Sequence, residues 1–185
     1  MPEDEAAPLD EPFTDAYTMV RASEGGYVDH PDDPGGATLW GVTQRTYDFW
    51  RRQHELPRQA VRGMTESECW AIYRTLWRAN QCDAMPRPVA LVHFDAVVNH
   101  GSGTATKLIQ RIVGVTPDGL MGPATLQAIL AACAAGRPVA REYLAARRRF
   151  YGRLVVRRPR SVVFLRGWWR RLKAVAAAGV ASLVP

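Results

Sequence analysis

Between Pro88 and Val98 the chain reads PVALVHFDAVV, apolar at almost every position and without a polar face. A helix of that composition has to be buried on all sides. The rest of the chain must therefore wrap it. The stretch falls well short of the ~18 uninterrupted apolar residues that a membrane span needs, and no other run reaches that length. At about 100–200 residues per domain, a chain of 185 residues is one compact unit, or one unit built as two lobes. Its 47% apolar content supplies a core and excludes wholesale disorder.

The flanking sequence supplies the wrapping elements as helices. Thr14 can cap a helix to about Ser23 that Gly25-Gly26 stops, and Thr43 a second one through about Leu56. Thr65-Glu66-Ser67-Glu68 is a capping box, followed by Cys69, Ile72, Tyr73 and Leu76 at helical spacing. Gly101-Ser102-Gly103 ends the apolar helix. Ala105, Leu108, Ile109, Ile112 and Val113 then form a further stripe. Thr116-Pro117-Asp118-Gly119 is a turn, and Pro123 suits the first position of the next helix. Residues 138–156 and 161–178 complete the helical count, with Val162 to Leu165 the one weak strand signal. The expected fold is all-α, about seven helices around a buried central helix. A short irregular or hairpin loop is expected near residues 27–42.

Charge is unevenly placed. Residues 1–15 hold six acids and no base, residues 16–136 are balanced, and residues 137–173 hold 13 bases against the single acid Glu142. The basic third should attract polyanions, either acidic wall polymers or an anionic membrane surface. Part of the surplus is equally well read as GC-rich coding, since Arg outnumbers Lys 22 to 2. No nucleic-acid reading motif accompanies it. Cys69, Cys82 and Cys133 match no metal or redox spacing and read as free thiols. The opening residues MPEDEAAPLDEPF lack the basic start and apolar stretch of a secretory signal, so synthesis in the cytoplasm is expected.

Chemistry concentrates in residues 24–43, EGGYVDHPDDPGGATLWGVT. The carboxylates there do not follow an EF-hand spacing, so a calcium loop is disfavoured. Glycosidic bond cleavage instead needs two carboxyls in different environments. Glu24, at the end of a helix whose Tyr17, Met19 and Val20 pack inward, suits the proton donor, which apolar surroundings would keep protonated. Asp33, in a solvated loop, suits the ionised partner, with Asp29 and Asp32 as alternatives, and Thr38 could orient a water. Turn chemistry accounts equally for the Asp cluster taken alone.

The run from Glu24 through Gly25-Gly26-Tyr27 to Gly41-Val42-Thr43 resembles the opening of the N-acetylmuramidases of glycoside hydrolase family 108, which include phage endolysins and proteins once called secretion-activating. The resemblance implies a lysozyme-like fold, a proton-donating Glu24, and water-positioning roles for Asp33 and Thr38, with Tyr27 in the substrate-binding motif. Phe94-Asp95-Ala96-Val97-Val98-Asn99-His100-Gly101 resembles the F-x-x-N-x-G stretch of the lysozyme superfamily. It would place Asn99 near the cleft, although a helix C-cap is an equal reading, and it gives His93 and His100 no catalytic role. Leu108 to Thr125 resembles a peptidoglycan-binding segment, implying sugar contact at Asp118. Gly167-Trp168-Trp169-Arg170-Arg171 resembles the family's terminal G-W-x-x-R stretch, with Trp168 either core or cleft.

Under this resemblance residues 1–12 are an acidic disordered tail and residues 13–101 the catalytic lobe. Residues 102–173 are a helical peptidoglycan-binding-like lobe completing the same globule, and residues 174–185 an apolar tail. The implied reaction is hydrolysis of the bond from N-acetylmuramic acid to N-acetylglucosamine, with no metal or organic cofactor, by a monomer acting on the cell wall after holin-assisted or lysis-coupled release. A lytic transglycosylase using Glu24 alone and a non-catalytic wall-binding module are the alternatives.

Overall fold

The computed structural model describes residues 11–29 and 36–180. Helix α4 (Arg87–His100) occupies the centre, and every residue from Val89 to Val97 is buried. Pro88 sits in its first turn, where a missing N–H costs nothing, and Gly101 ends it at φ +79°. Around it pack α1 (Glu11–Ser23), α5 (Ser102–Val113), α7 (Val139–Arg157) and α8 (Leu165–Val180). Helices α2 (Gln44–Gln53), α3 (Glu66–Ala79) and α6 (Pro123–Ala134) form the outer layer. Phe94 of α4 meets Phe13 of α1 and Trp77 and Tyr73 of α3 edge-on or tilted, with ring centroids 5.2–6.0 Å apart. Burying each such side chain is worth roughly 1.5–3 kcal/mol, so this aromatic knot fastens α1 and α3 to the centre.

Local signals explain the element starts. Thr43 caps α2 through its hydroxyl, which accepts the Thr46 N–H at 3.2 Å. The capping box at Thr65 and Glu68 is formed in full. Burial opposes the Glu68 charge. The Thr65 backbone N–H, the hydroxyls of Tyr47 and Thr65, and Arg51 outweigh it and hold the carboxyl below its usual range. The only sheet among the described residues is a hairpin of β1 (Thr38–Leu39) and β2 (Val42–Thr43), Thr38 opposite Thr43, extended by a bridge from Val28 to Thr38.

Several expectations need correction. The described residues hold eight α-helices, the central α4 and seven others, as expected; other details differ. The strand signal at Val162 to Leu165 is a 3-10 turn, Pro159–Phe164, running into α8. Among the described residues no strand lies beside them to pair with, and their β-branched side chains stay at the surface. Helix α1 starts at Glu11 rather than Thr14, and α8 continues through residues 174–180, which read as a tail. The remaining parts of both tails lie outside the described residues. Of the stripe that follows the capping box, Cys69, Ile72 and Tyr73 are buried and Leu76 is half-buried. The three cysteines are free.

Candidate active site

Helix α1 delivers Glu24. Its N–H still bonds to the Val20 carbonyl at 3.1 Å, so the residue continues the last turn. Its side chain is 17% exposed. Arg171 of α8 donates from Nη1 to Glu24 Oε1 at 2.6 Å and from Nε to Asp95 Oδ1 at 2.8 Å. Asp95 of α4 accepts on its other oxygen from Arg147 Nη2 of α7 at 2.6 Å. Both side chains of the Arg147–Asp95 pair are completely buried. The result is an alternating line, Arg147, Asp95, Arg171, Glu24, whose charges cancel in pairs. Burial disfavours the Arg171 charge, but Asp95 and Glu24 outweigh it and hold the guanidinium more firmly protonated. The neighbours of Glu24 are therefore not the apolar ones expected of it. An ion pair holds the carboxylate in place.

The hairpin closes over the same carboxylate. Trp40 and Gly41 form its turn with φ +52° and +79°, the two positive values that a type I′ hairpin turn demands. A Cβ at Gly41 would lie 2.8 Å from Glu24 Oε2 and 2.6 Å from the Tyr73 hydroxyl. Glycine is thus required there for both conformation and space. Trp40 has no such freedom, and two contacts hold it. The Tyr73 hydroxyl donates to its carbonyl at 2.8 Å, and the Arg21 guanidinium lies 4.5 Å from its ring centroid. Burial and the charge of Glu24 push the Tyr73 hydroxyl far up, so it remains a donor.

A groove of about 430 Å³ runs between the ends of α1, α4 and α8, lined by Met19, Ser23, Asn99, Trp168, Arg170 and Arg171 among others. Ser23 precedes Glu24 and Arg171 binds it, so the groove adjoins the carboxylate. Asn99 Oδ1 accepts from the Tyr151 hydroxyl at 2.7 Å, and Trp168 stacks on the Tyr151 ring at 4.6 Å. Both side chains are fixed by Tyr151 while lining the groove.

The structure therefore brings Asn99 and Trp168 together in the groove, and Arg171, which also lines it, links the groove to Glu24. Thr38 lies in the hairpin that covers Glu24, half-buried, its hydroxyl donated to the Gly36 carbonyl at 3.0 Å. Tyr27 and Asp29 follow Glu24 in the chain and are exposed. The Tyr27 hydroxyl donates to Asp29 Oδ2 at 3.1 Å, and Arg62 lies 5.3 Å from the Tyr27 ring centroid. Asp32 and Asp33 lie outside the described residues. Asp118 does not line this groove. Its Oδ1 accepts the Leu120 N–H at 2.8 Å and the buried Gln110 amide at 2.7 Å, which hold its carboxyl below the usual range and shape the α5–α6 turn. His93 is buried and His100 half-buried, and both are pushed down to about 3, by burial first and by the arginine charges second. Among the described residues no three His, Cys, Asp or Glu side chains gather as a metal site.

Arg171, Asp95, Tyr73 and Gly41 are the residues that sequence reasoning did not assign to the site. The quoted motifs contain Asp95, Gly41 and Arg171. No local pattern, however, connects a glutamate with an arginine 147 positions away.

Residues 17–101 match the family described as glycosyl hydrolase 108, and residues 104–173 match the family described as Predicted Peptidoglycan domain. A solved structure, that of Brucella abortus SagA, superimposes with a TM-score of 0.77 at 32% identity, covering 94% of this chain and 96% of that one. No curated protein matches at a comparable level. Glu24 falls in the first matched segment and Arg171 in the second, so the ion pair at the groove joins the two.

Proposed function

This chain belongs to the glycosyl hydrolase 108 family, and from that premise we propose that it is an N-acetylmuramidase acting on cell-wall peptidoglycan. The bond cleaved is the β-1,4 link from N-acetylmuramic acid to N-acetylglucosamine. The observation that carries the reading is the ion-paired Glu24, half-buried beside the groove that Asn99 and Trp168 line.

In this mechanism Glu24, having taken up a proton from solvent, gives it to the departing glycosidic oxygen and returns to the carboxylate that pairs with Arg171. Arg171 occupies Oε1, which leaves Oε2 as the oxygen that delivers the proton. A carboxylate of the following loop, Asp33 or its neighbours Asp29 and Asp32, stabilises the oxocarbenium-like transition state or holds the attacking water, with Thr38 orienting that water. Trp168 offers a flat apolar face to a sugar ring, and Asn99 has its amide donors left for an N-acetyl or hydroxyl oxygen. The match of residues 104–173 to a peptidoglycan family supports the same substrate. Through α8 that segment also completes the catalytic pocket.

Mass spectrometry of purified sacculi digested with the protein tests this. Soluble fragments ending in reducing N-acetylmuramic acid are expected. Fragments one water lighter, with a 1,6-anhydro end, would make it a lytic transglycosylase, and absence of soluble fragments would leave a binding module.

A further inference from the structure

The basic surplus of residues 137–173 and an exposed apolar tip meet at one end of the molecule. Helix α7 presents Arg149, Gly152, Arg153, Val156 and Arg157 along a single solvent-facing strip, with Val156 82% exposed. The 3-10 turn that follows exposes Val162, Val163 and Phe164 by 52–73%. Arg158 and Arg160 flank it on one side and Arg166 on the other, all exposed. The one acid of the region, Glu142, is already taken by Arg137 at 2.6 Å. Only Phe164 of this tip reaches the groove, its ring centroid 6.0 Å from that of Trp168; the valines and arginines do not line it.

Three consecutive large apolar side chains in water, with Val156 exposed on the preceding helix, are unfavourable for a chain with no further use for them. A soluble polyanion would engage the arginines and leave them wet. An anionic bilayer satisfies both parts, because lipid phosphates accept from guanidinium groups while the Val and Phe side chains enter the acyl boundary. We propose that the turn Val162 to Phe164, with the surrounding arginines, docks the protein on an anionic lipid surface. The tip would hold the enzyme at the membrane face bordering the wall. It rests on the exposed apolar and basic side chains and not on the hydrolytic chemistry, so it stands whether or not that activity is established.

The test is co-sedimentation of the full chain with phosphatidylcholine vesicles and with vesicles rich in phosphatidylglycerol. Binding to the second and not the first is expected. With each basic side chain near an anionic surface contributing about a kcal/mol, the variant R153Q/R157Q/R160Q should bind about a hundredfold more weakly. The variant V162S/V163S/F164S should lose at least about tenfold while keeping the native circular dichroism. Equal binding to both vesicle types, or binding to neither, overturns the proposal. Undiminished binding of the serine variant, with full competition by duplex DNA, overturns it in favour of a polyanion site.

Discussion

Replacing Asp95 with asparagine removes one charge from the line of four that leads to Glu24. The shape is preserved, so the effect is electrostatic. In the native protein Arg147 is fully buried, and its charge is balanced by Asp95 Oδ2 at 2.6 Å. Its other neighbours are neutral, the Val92 carbonyl at 3.5 Å and the Tyr151 hydroxyl. Its Nε already lacks a hydrogen-bond partner. In the D95N variant an uncompensated guanidinium would be left in the core, and Arg171 would have Glu24 alone. Removing one member of a buried pair costs about 3–5 kcal/mol, against a total stability on the order of 5–15 kcal/mol. At roughly 2–4 °C per kcal/mol for a chain of this size, the melting temperature should fall by about 6–20 °C. Urea denaturation and calorimetry of D95N measure both quantities. In an R147M background the same substitution should cost distinctly less, because there is no stranded charge to expose. A D95N chain within about 1 kcal/mol of wild type, or an undiminished penalty in R147M, would show that the line of charges does not organise the core as described.

Three further outcomes follow from the same geometry. R171M leaves the Arg147–Asp95 pair intact, so it should be folded. Freeing Glu24 should lower kcat by about a hundredfold with KM little changed, with part of the rate recovered in R171K; steady-state kinetics on peptidoglycan read both. G41A forces a Cβ into the Glu24 carboxylate and the Tyr73 hydroxyl at a positive φ, so it should lose activity by about a hundredfold and stability by about 1–2 kcal/mol. His93 and His100 titrate at about 3 when folded and near 6.5 when unfolded, so the unfolded chain binds more protons in between. Stability is therefore intact above about pH 6.5 and falls as pH drops toward 3, by roughly 2–3 kcal/mol per pH unit at the steepest. Urea melts across that window should show the slope, and H93Q/H100Q should flatten it.

Much of the fold was legible because local rules acted in agreement. The caps at Thr43 and Thr65 start their helices, Gly101 ends α4, and the unbroken apolar run at Pro88 to Val98 does become the central helix. What was missed depends on pairing at long range. Arg147 and Arg171 lie in a stretch that reads as a charged surface, yet both are buried, because Asp95 reaches them from another helix. The acids and bases of a sequence do not announce their partners. Val162 to Leu165 misled for the opposite reason, as β-branched residues without a neighbouring strand remained an exposed turn. At the candidate site, Glu24 could be singled out from its motif and helix-end position. Its ion pair could not, and neither could the crowding at Gly41, which comes from Tyr73 on a separate helix. The Leu108 to Thr125 motif has a physical account as scaffold, since the buried Gln110 ties Asp118, Thr125 and the Gly119 N–H into one clasp.

Glu24→Gln tests the central claim most directly. The amide keeps the size of the side chain and can still accept from Arg171, but it has no proton to give. Turbidity and reducing-end release from purified sacculi should fall by at least about a hundredfold, the scale of a lost general acid, while the chain stays folded by circular dichroism. A folded E24Q protein that solubilises sacculi at the wild-type rate would contradict the account.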